Sequence, residues 1–115
     1  MKLSIPNIVG AIGLSALLSY ACYAMCDVES LKSLITIGAA VQFLIYTFGM
    51  LVYQHSEDSR LTAVVRTLSG VVFVVALVSN FIFACTDFST PLYIILNGLV
   101  LLIYFLVAAG IARRN

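Results

Sequence analysis

Three amide side chains, Gln42, Asn80 and Asn97, lie deep within long uncharged stretches of this 115-residue chain. An amide offers both donors and an acceptor but does not ionise, so it can hydrogen-bond to a neighbouring helix or to a polar solute without transferring a proton. Hydroxyl groups with similar bonding capacity occur nearby, at Ser15, Ser19 and Tyr20. We expect these six residues to form interhelical hydrogen bonds or to line a polar path between helices.

Asn80 and Asn97 are equally far along the chain from the turn at Asp87 to Thr90. In an antiparallel hairpin they would therefore lie at the same depth, where a direct hydrogen bond between them would contribute about 1 kcal/mol. The alternative is a polar site that opens outward and includes Ser19 or Tyr20. For Gln42, the one partner expected at the same depth is Ser15.

The elements that must position these groups are four stretches without a charged residue, 3–26, 33–54, 67–86 and 88–112. Each is long enough to provide the roughly 20 apolar residues that a helix needs to cross the hydrocarbon layer. Because lipid cannot satisfy free backbone N–H and C=O groups, the spans should be α-helices. We therefore predict an all-α integral membrane protein with a single four-transmembrane-helix bundle. Its expected helices cover about residues 6–26, 31–54, 60–85 and 91–112.

The composition supports this class and excludes others. Apolar residues make up 63% of the chain and charged residues 10%, well outside the range of soluble domains. A formal net charge of +1 provides no basic surface for nucleic acid. The turns between the spans are too short to fold as a separate module, so any activity is expected within the bilayer or at its surface.

Basic residues predict the orientation. Five of the six lie on one side of the predicted spans, and Lys32 alone lies on the other. By the positive-inside rule, both termini and the loop around His55 face the cytoplasm. The compact chain favours a bacterial inner membrane. Four arginines, together with His55, are candidates for binding lipid headgroups or phosphate: Arg60, Arg66, Arg113 and Arg114. For Arg66 we favour the alternative that its long side chain bends back to the membrane surface without binding a specific ligand.

The chain also shows signs of an internal repeat. An offset of 60 residues aligns the turns at Asp27 and Asp87 and the glycines Gly38 and Gly98, together with several other identities. A duplicated helix hairpin, related by an axis along the membrane normal, would explain the pattern. The alternative is chance similarity between two apolar hairpins.

Small and polar residues at steps of three and four predict the packing faces, since such residues let helix backbones approach closely. The second helix carries one such stripe, at Gly38, Gln42, Tyr46, Gly49 and Tyr53. Another follows the third helix, at Arg66, Ser69, Gly70, Phe73, Ala76, Asn80 and Ala84. The fourth helix has Tyr93, Asn97, Leu101, Tyr104 and Ala108. Six glycines are expected at helix contacts: Gly10, Gly13, Gly38, Gly49, Gly70 and Gly98.

The first helix has small residues on two sides. One side carries Gly10, Gly13, Ala21 and Ala24, and the other carries Ala11, Ser15, Ser19, Cys22 and Cys26. We expect this helix to contact two neighbours or a partner chain.

Several kinds of chemistry are not expected. Proton-coupled transport normally uses an ionisable group within the bilayer, and no Asp, Glu, Lys or His lies deep in a predicted span. The chain is similar in size to small multidrug-resistance transporters, but it has no glutamate in the first helix. A single histidine excludes paired-histidine haem ligation and lies apart from the cysteines, so we expect no metal site, no cofactor and no enzymatic activity. Cys26 and Cys85 end their helices at matching depth, where a disulfide is one possibility beside free thiols.

Two functions remain open. The favoured one is a packing or accessory subunit that binds other membrane proteins, or further copies of itself, for assembly, anchoring or regulation. The alternative is a homo-oligomeric channel, or a protein that translocates lipid or a small solute, with the amides and tyrosines lining a path between protomers. The expected partners are the lipid bilayer and membrane protein subunits.

Overall fold

The computed structural model describes residues 5–53, 59–86 and 88–113, with the backbone alone at Ser59 and Ala112. Its helices are α1 (Ile5–Met25), α2 (Glu29–Thr47), α3 (Ser59–Ala84) and α4 (Thr90–Arg113). A π-helical segment, Phe48–Val52, continues α2. Over the described ranges, four helices are long and apolar enough to cross a membrane. The predicted all-helical class with four potential spans is thus confirmed.

Local sequence explains where α4 begins and ends. Pro91 lies in its first turn, where a backbone N–H has no partner within the helix, so the lack of an N–H in proline costs no helical hydrogen bond. The N–H of Tyr93 donates to the carbonyl of Ser89 at 3.0 Å and closes that turn. Arg113 lies in the last turn, where a positive charge is favourable beside the free carbonyls.

The π-helical segment gives the end of α2 a wider turn. The N–H of Tyr53 donates to the carbonyl of Phe48 at 2.8 Å, which is the bond to the fifth preceding residue that defines a π-helix. Gly49 lies in this segment, and a Cβ atom there would clash with the hydroxyls of Tyr104 and Ser69. The wide turn therefore occurs where side chains of α3 and α4 come close to the backbone of α2.

The four helices form a flat layer rather than a square bundle. α2 and α3 pack together in the middle; α1 packs mainly on α2, and α4 packs mainly on α3. Within the described residues, α1 and α4 make no contact. The layer measures 47 × 28 × 16 Å, and α4 is the least buried of the four helices.

This packing does not reproduce the symmetry of two repeated hairpins. A twofold axis that relates α1 to α3 would also relate α2 to α4. The observed contact between α2 and α3 would then require an equivalent contact between α4 and α1, and among the described residues α4 and α1 do not touch. Residues matched by the 60-residue offset also differ in environment. Ile35 is fully buried, whereas Ile95 is 67% exposed.

The two ends of the layer differ in what they carry. One end holds the α1–α2 and α3–α4 turns, and we call it the turn end. The opposite end, where α1 begins and α4 ends, is the termini end.

Candidate functional site

The three amides predicted as polar contacts all lie inside the protein. Asn80 is fully buried, Gln42 is 4% exposed and Asn97 is 7% exposed. The structure does not join Asn80 directly to Asn97. Instead, Asn97 donates from Nδ2 to the backbone carbonyl of Tyr93 at 2.9 Å, one turn earlier in its own helix.

The tyrosine at the start of α4 links the amides of α2 and α3. The hydroxyl of Tyr93 donates to Oδ1 of Asn80 at 2.6 Å. The same hydroxyl accepts a longer bond, 3.4 Å, from Nε2 of Gln42. Asn80 also donates from Nδ2 to the carbonyl of Ala76 at 2.7 Å. One tyrosine thereby connects three helices, and we call this group of Gln42, Asn80 and Tyr93 the Tyr93 clasp.

A glycine makes room for this tyrosine. A Cβ atom at Gly38 would lie 2.6 Å from the Tyr93 hydroxyl oxygen and 2.8 Å from a ring carbon, closer than real contacts allow. The Tyr93 ring therefore lies directly against the backbone of α2, as small residues at membrane-helix contacts permit.

A second tyrosine repeats the arrangement toward the termini end. The hydroxyls of Tyr104 and Ser69 are 2.6 Å apart, and Ser69 also donates to the carbonyl of Val65 at 2.8 Å. Because the Ser69 hydroxyl hydrogen is used in that bond, the Tyr104 hydroxyl donates the hydrogen bond to Ser69 Oγ. Gly49 provides the space on α2, and we call Gly49, Ser69 and Tyr104 the Tyr104 clasp.

The two clasps share one spacing. Gly38 and Gly49, Tyr93 and Tyr104, and Ser69 and Asn80 are each eleven residues apart. Eleven residues make just over three turns of an α-helix, so each pair lies on one face of its helix. Parallel helices α2 and α4 and the antiparallel α3 therefore meet in the same way at two levels about 16 Å apart.

Hydroxyl groups join α1 to α2. Oγ of Ser15 and Oγ1 of Thr47 are 3.1 Å apart, and both residues are buried. Ser15 also bonds to the carbonyl of Ala11 at 2.7 Å, and Ser19 donates to the carbonyl of Ser15 at 2.6 Å. Ser15 thus pairs with Thr47 instead of Gln42. Thr47 was not predicted from the sequence, since threonine is common in apolar helices.

Tyr20 does not take part in these contacts. Its side chain is 66% exposed and stacks on Tyr23, with ring centroids 6.3 Å apart. Within the single chain Tyr20 does not join a polar site with Asn80 and Asn97, because α1 presents Ser15 and Ser19 to the interior and turns Tyr20 outward.

Two buried polar atoms lack a hydrogen-bond partner among the described residues. They are Oε1 of Gln42 and the hydroxyl of Tyr46. The Gln42 amide cannot simply be reversed, because its Nε2 donates to the carbonyl of Gly38 at 3.2 Å. Tyr46 packs its ring edge-on against Tyr104, with centroids 5.1 Å apart. Unpaired buried polar atoms are costly, and a bound water often satisfies them.

Two apolar grooves lie between α2 and α4, which make few contacts with each other. The groove near the turn end has a volume of about 310 Å³ and includes Gly38, Gln42, Tyr93 and Asn97. The groove near the termini end has a volume of about 440 Å³ and is lined mainly by residues of the π-helical segment and the last turns of α4.

The arginines lie at the termini end in different settings. Nε of Arg66 donates to the backbone carbonyl of Tyr53 at 2.8 Å, so its half-buried side chain reaches the free carbonyls where α2 ends. Arg60 and Arg113 are exposed, at the start of α3 and the end of α4. Arg114 and His55 lie outside the described residues.

The six glycines predicted at helix contacts fall into two groups. Gly38 and Gly49 allow the tyrosines to approach, and a Cβ at Gly70 would lie 3.4 Å from the sulfur of Met50. The remaining three have open space where a side chain would be: Gly10, Gly13 and Gly98.

The three cysteines are free thiols. Cys22 and Cys26 are buried and Cys85 is exposed. Over residues 5–53, 59–86 and 88–113, no group of three or more His, Cys, Asp or Glu residues is arranged to hold a metal ion.

No protein-family model, no curated protein and no solved structure matches this chain.

Proposed function

We propose that this protein is a packing or accessory subunit of a membrane complex, which serves assembly, anchoring or regulation. One observation carries the proposal: the deep amides, Gln42, Asn80 and Asn97, are buried and bonded within a single chain. Side chains used in this way hold helices together, and these three amides do not lie on the outer faces where copies of the chain would meet. The proposal includes no catalysis and no cofactor.

The outer face of α1 suits contact with a partner helix. Small and apolar residues recur on it at steps of three and four, and all are exposed: Gly10, Gly13, Leu17, Tyr20 and Ala24. At Gly10 and Gly13 nothing lies within 4 Å of the position a Cβ would occupy. A neighbouring helix could pack closely there, as on other small-residue faces in membranes. The partner is another membrane protein subunit or a further copy of this chain.

The proposed setting is a bacterial inner membrane with both termini in the cytoplasm. Among the described residues, Arg60, Arg66 and Arg113 lie at the termini end, and Lys32 lies near the turn end. This distribution supports the orientation, because positive charges favour the cytoplasmic side.

The test is the mass and subunit composition of the particle extracted from native membranes into nanodiscs. Stoichiometric foreign subunits, or a defined homo-oligomer without flux, are expected. Gly13→Leu should release the partner, because it fills the outer face of α1. Gly110→Leu is the matched control, since Gly110 also has open space around it but lies at the end of α4. A monomer with no associated chain would contradict the proposal.

A second function, translocation of lipid or a small solute, rests on the two unpaired atoms, Gln42 Oε1 and the Tyr46 hydroxyl. Buried polar groups without partners can contact water or solute beside a groove. If the protein conducts, Gln42→Leu should lower flux through reconstituted vesicles while the particle keeps its mass. Under the favoured proposal there is no flux to lower.

A further inference from the structure

The groove between α2 and α4 near the termini end combines an apolar wall with a tyrosine, Tyr53. Its volume is about 440 Å³, within the range of roughly 300–1,000 Å³ typical of ligand sites. The α2 side contributes Gly49, Val52 and Tyr53, and the α4 side contributes Tyr104 and Ala109. Tyrosine is enriched where membrane helices meet the headgroup layer, so Tyr53 suits the mouth of such a groove.

Arg66 adds a positive charge beside this mouth. Its Nε bonds to the carbonyl of Tyr53, and its chain neighbour Val65 lines the groove. A guanidinium has five N–H donors, and among the described residues only Nε has a hydrogen-bond partner. Within the part of the chain that the structure describes, the terminal nitrogens have no partner and could bind an anion.

Arg66 lies near the termini end of α3. The residue lies seven positions after the start of α3, about 10 Å along the helix. Its side chain reaches back to Tyr53, at the end of α2. The guanidinium is thereby held beside the end of α2, while the groove extends from Tyr53 toward Gly49 and Tyr104.

We propose that this groove binds one anionic phospholipid, with its phosphate on Arg66 and an acyl chain beside Gly49 and Tyr104. Guanidinium and phosphate form paired, charge-assisted hydrogen bonds, and the apolar wall accepts the chain. An anionic lipid is preferred over a zwitterionic one because it brings no ammonium group toward the arginine. This site does not depend on the proposed function.

The experiment titrates the purified protein with phosphatidylglycerol and with phosphatidylcholine of the same chains, and it counts bound lipids by native mass spectrometry. One phosphatidylglycerol should bind more tightly than the rest. Arg66→Gln should weaken that binding by about tenfold, as the loss of a bond to a charged group implies. Arg113→Gln removes the same charge from the same end and should change it less than about twofold.

A second pair of variants tests the groove. Ala109→Trp fills it at an exposed position and should abolish the tight site, whereas Ala16→Trp on the exposed face of α1 should leave it intact. Arg66→Lys keeps the charge and should retain most of the preference for phosphatidylglycerol. Glycerol phosphate without chains should not compete.

Three results would overturn the site: equal effects of Arg66→Gln and Arg113→Gln, full binding in Ala109→Trp, or competition by glycerol phosphate. Circular dichroism identifies a variant that does not fold. If Arg66→Gln fails that check because it also removes the bond to Tyr53, the Ala109→Trp and Ala16→Trp pair decides the question alone.

Discussion

The hydroxyl of Tyr93 on α4 donates a 2.6 Å hydrogen bond to Asn80 on α3, across the short turn that connects the two helices. The two side chains start at different depths, and the length of the tyrosine bridges the difference. Asn80 thus finds its interhelical partner in a tyrosine rather than in the asparagine of the opposite helix.

Removal of the Tyr93 hydroxyl should destabilise the fold. Tyr93→Phe keeps the ring against Gly38 but leaves Oδ1 of Asn80 without its donor, so we expect a loss of about 1 kcal/mol. Thermal unfolding in detergent, followed by circular dichroism, measures the change. Tyr20→Phe is the control and should have no effect, because Tyr20 is 66% exposed. Equal stability of the two variants would contradict the Tyr93 clasp.

Replacing Gly38 of α2 or Gly49 of the π-helical segment by alanine should destabilise the fold, contrary to the usual effect of this substitution in a helix. Alanine normally stabilises a helix interior relative to glycine by up to about 1 kcal/mol. Gly38→Ala and Gly49→Ala should instead cost about 1–3 kcal/mol, because the new methyl group meets Tyr93 or Tyr104. Gly10→Ala has open space and should be neutral or stabilising in the same unfolding assay. A stabilised Gly49→Ala variant would show that Tyr104 does not pack there.

The two clasps should act independently. Ser69→Ala and Tyr104→Phe remove partners of one hydrogen bond, so a double-mutant cycle should give a coupling of about 0.5–1 kcal/mol. Tyr93→Phe and Tyr104→Phe lie about three turns apart on α4, and their effects should add. Strong coupling between the two tyrosines would mean that the clasps form one unit.

Thiol reactivity should differ among the three cysteines. Cys85 is exposed after the last turn of α3, whereas Cys22 and Cys26 are buried. Maleimide should therefore add rapidly at one site per folded chain in detergent, and at all three only after denaturation. Mass spectrometry counts the adducts, and Cys85→Ser should remove the rapid one. Rapid labelling of Cys22 would contradict the packing of α1.

Sequence patterns predicted the helices and several of their inner faces, but not how the faces fit together. The stripes that contain Gly38, Asn80 and Tyr104 do lie in the interior. Periodicity shows which side of a helix carries polar or small residues. It does not show which residue of the neighbouring helix lies at the same height along the helix axes. Tyr93 was therefore not matched with Asn80, although the common eleven-residue spacing was present in the sequence.

Other features depend on interactions that composition does not reveal. α1 and α4 are apolar on nearly all sides, so their sequences do not show which side is outward, and the exposure of Tyr20 does not follow from the sequence for that reason. The π-helical turn at Gly49 lies where side chains of α3 and α4 come close to the backbone of α2. The lack of contact between α1 and α4 over the described ranges likewise depends on the packing of the whole layer.

Because the described parts of α1 and α4 do not touch, each outer helix is held from one side only, by the central pair. A pulling force on the end of α4 would open the Tyr104 clasp first and the Tyr93 clasp second, because Tyr104 is nearer the pulled end. The hairpin of α1 and α2 would remain closed through both events, since its bond between Ser15 and Thr47 involves neither tyrosine. The molecule would therefore resist force in two separate ruptures, and α4 could be peeled from the layer without unravelling the rest.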